Sequence, residues 1–395
     1  MCTAVVVAGG RSKSGKPMLL KHRDVPYDSF RQKENSVVYC ASKRYGERGI
    51  LAVVDKGLQK GSVLCGMNAD GFSIINTATY NMGLRNFNTQ YVPSKLMYDA
   101  LSSCSDKKDF DVLLASSHRR MMPANYGVID RHGNAFYYEV SERGWQCLDV
   151  AVEQSGCLAF TNYSRYGDIS NKPGLERQIV ADSLINSDVN RKISAAILFN
   201  EISRSFRNDL LGIDMVKSGN PFGDYFMDGF FIPLRSTTFS AVFEGNVIWV
   251  SLGYPPLAVS VPIIIGRDLP DIPVQMFSDA KKKVFDLNVG EGNRYFNFGL
   301  MYDKCGNGFT QRIMNLEKEM SKDFDDTFKD SELAEFYRTY INKIALLYTD
   351  FLQADRIEDR YSTFRICGYG EKKDEVIPRK LLYGFRKMIG TERMN

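Results

Sequence analysis

Apolar positions along the first half of the chain fall mostly into short unbroken or alternating runs, the pattern of β-strands. Residues 3–7 form a β-branched run, residues 9–17 (GGRSKSGKP) read as a turn, and residues 18–21 resume a strand. Further strands are predicted at 36–41, 50–55, 62–65 and 72–77, and a hairpin at 125–140. Residues 95–103 and 108–116 carry helical spacing, and a longer helical stretch runs over 174–206, starting just after Pro173. Strands return over 237–265. Runs of strands interleaved with helix pairs predict a layered α+β sandwich, with helices outside two stacked sheets.

The pattern changes after Asp271. Ile313, Leu316, Met320 and Phe324 recur at helical spacing, as do Leu333, Phe336, Tyr340, Ile344, Leu347 and Phe351 after Asp330 and Ser331. This predicts an antiparallel helix pair turning near 325–330, its aromatic stripe serving as core or as a subunit contact. Residues 372–395 are charged and read as a surface helix or frayed tail. The organisation expected is a core over 2–270 and a mainly helical C-terminal extension over 271–395, packed on that core.

With 395 residues, 44% of them hydrophobic and 25% charged, the chain has an ordinary globular composition. A net charge of +4, with both signs interspersed, argues against a dedicated nucleic-acid surface. No run of about twenty apolar residues predicts a membrane span. No basic region followed by an apolar core marks a secretory signal, so the expected location is cytoplasmic, or periplasmic or secreted if a natural signal had been removed. The eight cysteines (2, 40, 65, 104, 147, 157, 305 and 367) are scattered, and the three histidines (22, 118 and 132) do not cluster with them. Zinc spacing is therefore missing, and neither a metal nor another cofactor is expected. Residues 10–16 (GRSKSGK) match a phosphate-binding loop in form. However, Pro17 stands where the magnesium-binding hydroxyl belongs, and a strand rather than a helix follows.

The chemistry begins at the second residue. Removal of Met1, favoured by the small side chain of Cys2, would place a thiol and an α-amine on one residue. The amine, with an ordinary pKa of about 7.7–8.0, can act as general base for a thiol whose own value is near 8.5. A hairpin from residue 2 to residue 24 returns Asp24 to the terminus, where its carboxylate could orient amine or thiol. None of the three histidines stands in a setting that suggests a Cys-His dyad.

These residues resemble the opening of the N-terminal-nucleophile (Ntn) hydrolases. The branch resembled comprises the choloylglycine (bile salt) hydrolases, the penicillin V acylases and the acyl-coenzyme A:6-aminopenicillanate acyltransferase-like family. Gly66-Met67-Asn68-Ala69-Asp70-Gly71-Phe72 is similar to the branch's GMN hairpin, and residues 125–130 followed by Gly133 and Tyr138-Glu139-Val140 to a later one. Phe160-Thr161-Asn162-Tyr163-Ser164 resembles the strand end whose asparagine serves an oxyanion hole, and residues 237–243 and 246–253 with Pro255-Pro256 the closing strands. The match spans roughly residues 2–265.

The resemblance implies a four-layer αββα sandwich and catalytic roles for Cys2, Asp24 and Asn162. Lys21 stands where bile salt hydrolases carry arginine, and Asn76 and Asn81 lie near the place of a substrate-side asparagine. Lys21, Asn76 and Asn81 are thus candidate substrate-binding residues. Arg235, just before a strand, is a candidate grip for an anionic group, with a surface salt bridge as its ordinary explanation. The implied activity is hydrolysis of a linear amide through a Cys2 thioester. An acyltransferase using the same thioester and a non-catalytic ligand-binding relative stay open as alternatives. The expected partner is a small-molecule amide, with no nucleic acid or membrane; the apolar helix pair is compatible with a homodimer or tetramer.

Overall fold

A computed structural model describes residues 1–25, 35–55, 60–83, 91–223, 229–285 and 296–354. Two antiparallel sheets form its centre. The six-stranded sheet runs in the order Cys157–Phe160, Cys2–Val7, Met18–Asp24, Thr237–Glu244, Val247–Leu252 and Val261–Ile264. The seven-stranded sheet follows chain order from Asn35–Tyr39 through Ile50–Asp55, Cys65–Asn68, Ser73–Ala78, Ala124–Ile129 and Ala135–Ser141 to Gly144–Asp149.

Strand Cys2–Val7 reads as an unbroken apolar run because both of its faces are covered. Ala4 and Val6 point between the sheets, where they join Leu19, Phe239 and Ala241 from their own sheet and Leu51, Met67 and Ile75 from the other. Val5 and Val7 point outward into a second cluster with Val180 and Ile185 of helix Leu175–Asn186. On the far side, helices Pro93–Ser103 and Lys107–Ser117 press Leu96, Leu101, Phe110 and Leu114 against Ile50, Ile74, Tyr126 and Tyr138. The layers are therefore helix, sheet, sheet, helix, the αββα sandwich that the sequence motifs imply.

The C-terminal helices Phe309–Asp323 and Asp330–Gln353 form the expected pair. They join the same outer cluster through Ile313, Met320, Phe336, Ile344 and Tyr348. A buried fork fastens them: Arg204 pairs with Glu317 at 2.6 and 2.7 Å, and Glu317 also accepts the Ser260 amide. The charged tail 372–395 and Cys367 lie outside the described residues. Among the described residues, no helix is long and apolar enough to cross a membrane.

Two local expectations change, and one helix is added within the mainly helical extension. The strand expected at 62–65 is Cys65–Asn68, because Val63 is drawn toward helix Pro93–Ser103, its amide donating to the Ser94 carbonyl at 3.0 Å. Residues 274–284, which the sequence reading leaves without an element, form a helix whose last turn carries Lys281, Lys282 and Lys283 against the carbonyl end of its dipole. The helix expected over 174–206 stops at Asn186 and resumes at Ala195. The break follows from turn chemistry. Asp188 accepts the Asn190 amide at 2.9 Å, and the Arg11 guanidinium takes the Ile185 and Asp188 carbonyls at 2.9 Å each. This also accounts for the GRSKSGK segment: its arginine is buried and caps a helix end.

Candidate active site

The hairpin between Cys2–Val7 and Met18–Asp24 sets Cys2 opposite Arg23 and brings the terminus to Asp24. The Asp24 amide donates to the Met1 carbonyl at 2.8 Å, and the Met1 amine to the Asp24 carbonyl at 3.2 Å. Strand Cys157–Phe160 flanks Cys2–Val7 on its other side and ends just before Asn162. The Cys2 amide donates to Asn162 Oδ1 at 2.8 Å, joining positions 160 residues apart. Asn162 is fully buried; its Nδ2 donates to the Ala78 carbonyl at 3.0 Å.

The residue that ties this cluster together is Arg177, which the sequence reading missed. Its buried guanidinium donates to the Cys2 carbonyl at 2.9 Å, to Thr3 Oγ1 at 3.0 Å and to Asn162 Oδ1 at 3.0 Å. It lies 3.4 Å from Asp24 Oδ2 and 3.5 Å from Glu176. Gly174 makes room for it. At φ +88° that residue favours glycine, and a Cβ there would stand 2.5 Å from Arg177 Nη2. The available signal was a Pro-Gly pair opening a helix, with an arginine on the helix's first turn.

Asp24 is held from both sides. Arg177 faces Oδ2, and Thr237 Oγ1 donates to Oδ1 at 2.6 Å. Since the Thr237 proton is spent on Asp24, His22 Nε2, 3.1 Å from the same hydroxyl, must be the donor there. Burial, first of all, pushes His22 down to about 4, so the imidazole is neutral at pH 7 and carries its proton on Nε2. The carboxylate of Asp24 thus serves Arg177 and Thr237, while its backbone meets the terminus.

Lys21 and Asn76 come together. The buried Lys21 ammonium donates to the Asn76 carbonyl and, at 2.9 Å, to Asn76 Oδ1. Its charge reaches the thiol. Burial pushes the Cys2 thiol up, but Lys21 and the amino-terminal charge outweigh it, and the thiol sits below its ordinary value. The neighbouring Cys65 thiol is pushed up to about 12 by burial. Lys21→Met should therefore move the pH midpoint of Cys2 alkylation by iodoacetamide upward, because the thiolate loses its stabilising cation. Peptide-level mass spectrometry over a pH series checks this, with the exposed Cys147 and Cys305 as internal references. An unmoved midpoint removes Lys21 from the electrostatics of the site.

Asn81 lies one strand-end away, with its amide turned to the neighbouring loop. Its Nδ2 donates to the Ser164 and Asp168 carbonyls at 2.9 and 3.1 Å, and its Oδ1 accepts the Ser164 amide at 2.7 Å. Arg235 lies two residues before Thr237, and its carbonyl accepts from Lys281 Nζ at 2.7 Å. Among the described residues, no three His, Cys, Asp or Glu side chains gather as a metal site would require.

No protein-family model matches the chain, and no curated protein matches it. Solved structures are similar to it at low identity. A Caenorhabditis elegans N-acylethanolamine-hydrolyzing acid amidase ortholog is 15% identical with a TM-score of 0.42, covering 61% of this chain and 92% of that one. A variant of conjugated bile acid hydrolase from Clostridium perfringens is 13% identical with a TM-score of 0.41, covering 68% and 94%. Penicillin V acylase from Agrobacterium tumefaciens is 12% identical with a TM-score of 0.40, covering 67% and 86%.

Proposed function

We propose that this chain, once Met1 is removed, is a cysteine hydrolase of linear amides that uses its own amino terminus as the base. The observation that carries this reading is the cage around Cys2. Asn162 fixes the nitrogen that would become the α-amine at 2.8 Å, while Lys21 favours the thiolate of the same residue. An accidental Met-Cys start has no need of a buried asparagine and a buried arginine converging on its second residue.

In the mechanism, the α-amine takes the Cys2 thiol proton, and sulfur attacks the amide carbon. The tetrahedral oxyanion needs preorganised donors. Asn162 Nδ2 carries two protons; one is given to the Ala78 carbonyl and the other serves the oxyanion. Collapse breaks the C–N bond, and the ammonium returns its proton to the leaving amine. Water then adds to the thioester, with the amine again as base, releasing a carboxylic acid and the thiol. Arg177 and Asp24 keep the machinery aligned.

The test is the mass of the N-terminal peptide of the purified protein, before and after incubation with an electrophilic amide analogue. The expected result is loss of Met1 and a single adduct on Cys2. A protein that hydrolyses amides with Met1 retained would refute the reading, because the basic amine would then sit on the wrong residue.

A further inference from the structure

We propose that the fold locks the Met1–Cys2 peptide bond, so that an aminopeptidase must remove Met1 from the still unfolded chain, and a protein that folds with Met1 in place stays inactive; this deepens the hydrolase reading and rests on its need for a free Cys2 amine. The reaction is a hydrolysis. Water cleaves the C–N bond between the two residues, methionine leaves with the carboxylate, and Cys2 keeps the amine. Both sides of that bond are held in the structure. The Met1 carbonyl accepts the Asp24 amide at 2.8 Å, and the Cys2 amide donates to Asn162 Oδ1 at 2.8 Å.

The atoms around the bond are held as well. The Met1 amine donates to the Asp24 carbonyl at 3.2 Å, and Arg177 Nη1 donates to the Cys2 carbonyl at 2.9 Å and to Thr3 Oγ1 at 3.0 Å. Cys2 is only 9% and Thr3 0% exposed, and their strand is an inner one, with Cys157–Phe160 on one side and Met18–Asp24 on the other. A peptidase acting at this terminus has to draw Met1 and the start of the strand out of the sheet. A folded chain is cut from its opened state, so the rate follows the population of that state. Each hydrogen bond counts for about two- to tenfold in the opening equilibrium, so breaking this set should slow excision by at least about a hundredfold.

The lock closes late in synthesis. The first two strands are made early, but a lone two-stranded hairpin is marginally stable at best in water. Asn162 follows Cys2 by 160 residues and Arg177 by 175, and strand Cys157–Phe160 arrives just ahead of them. At about 5–20 residues per second, the terminus stays unlocked for roughly 10–30 s after it is made. The contacts that then fix the Cys2 nitrogen also close the route by which a peptidase would free it. The active fraction of the protein is thus set once, as the chain is made.

The experiment uses the full-length protein, made with an inhibitor of methionine aminopeptidase present so that Met1 is retained. The folded protein, freed of inhibitor, is incubated with purified methionine aminopeptidase, and loss of Met1 is followed by intact mass. A peptide of residues 1–10 is the unfolded reference. Excision from the folded protein should be slower than from the peptide by at least about a hundredfold. Asn162→Ala, which frees the Cys2 amide, should speed excision from the folded protein by about two- to tenfold. Arg177→Lys, which loosens the Cys2 carbonyl, should do the same and serves if the first variant does not fold. A variant with Gly-Ser-Gly-Ser inserted between Met1 and Cys2 should lose its methionine at nearly the rate of the matching peptide, because its first peptide bond lies outside the lock.

Excision from the folded protein at the peptide rate would overturn the proposal, as would an inserted variant that is blocked equally. Loss of Met1 from the folded protein with no peptidase added would overturn it too, since the fold would then drive this cleavage instead of blocking it. Every readout is a mass, so the lock and the hydrolase reading fail separately. A locked terminus in a protein that cleaves no amide after correct processing keeps the lock and refutes the hydrolase. Free excision from the folded protein followed by amide turnover refutes the lock and keeps the hydrolase.

Discussion

Cys2→Ala should lower amide turnover by at least about a thousandfold while leaving the unfolding midpoint nearly unchanged, since the nucleophile of a concerted set dominates its rate. Alanine is as small as cysteine, so Met1 excision should proceed and the α-amine should remain. The substitution therefore separates the thiol from the amine. The backbone contacts of residue 2, to Asn162, Arg177 and the strand partner, do not involve the thiol and survive. Cys2→Ser tests the same point from another direction: a hydroxyl is harder to deprotonate, so turnover should fall steeply there too. Steady-state rates paired with thermal unfolding check both variants. A fully active Cys2→Ala protein would sink the scheme.

Arg177→Leu should cost about 3–5 kcal/mol of folding stability, the usual penalty for removing one partner from a buried ion pair. Asp24 and Glu176 would lose the cation that faces them, and the Cys2 carbonyl, Thr3 and Asn162 would each lose a donor. Leucine fills much of the volume but satisfies none of these acceptors. Arg177→Lys should recover only part of the loss, because a single ammonium cannot reproduce a fork that reaches four neighbours. Turnover should fall with stability, since Asn162 Oδ1 would no longer be shared between Arg177 and the Cys2 nitrogen. Urea unfolding of wild type and both variants, with turnover measured well below the transition, checks this. An Arg177→Leu protein with an unchanged midpoint and rate would reduce the cluster to packing.

Much of the fold was legible because its signals are local. The β-branched run at 3–7, the turn at 9–17 and the resumed strand specify a hairpin, and a hairpin returns Asp24 to the terminus whatever the rest of the chain does. Helical spacing in 309–353 likewise survived folding intact. The misplaced strand at 62–65 and the broken helix at 174–206 failed where a distant group competed with local preference: helix Pro93–Ser103 in one case, the Arg11 guanidinium in the other.

The site was legible only in part. Cys2 stood out for its position, Asp24 for the hairpin and Asn162 for its place in a motif. Arg177 carried only the faint mark of the Pro-Gly pair before it, because an arginine in the first turn of a helix ordinarily faces solvent. Asn76 and Asn81 show the same limit. One folds back to Lys21 and the other to a neighbouring loop, and nothing in their spacing separates the two.

The amino-acid sequence by itself determined the alternation of strands and helices and the hairpin that brings residue 24 back to the amino terminus, since each depends on residues close along the chain. Tertiary structure alone decided which buried polar groups meet: Arg177 with Asn162 and Asp24, Thr237 with Asp24 and His22, Lys21 with Asn76. A buried polar group must find a partner, and the partner is whichever group the stacking of sheets and helices places within about 3 Å, however far away it lies in sequence.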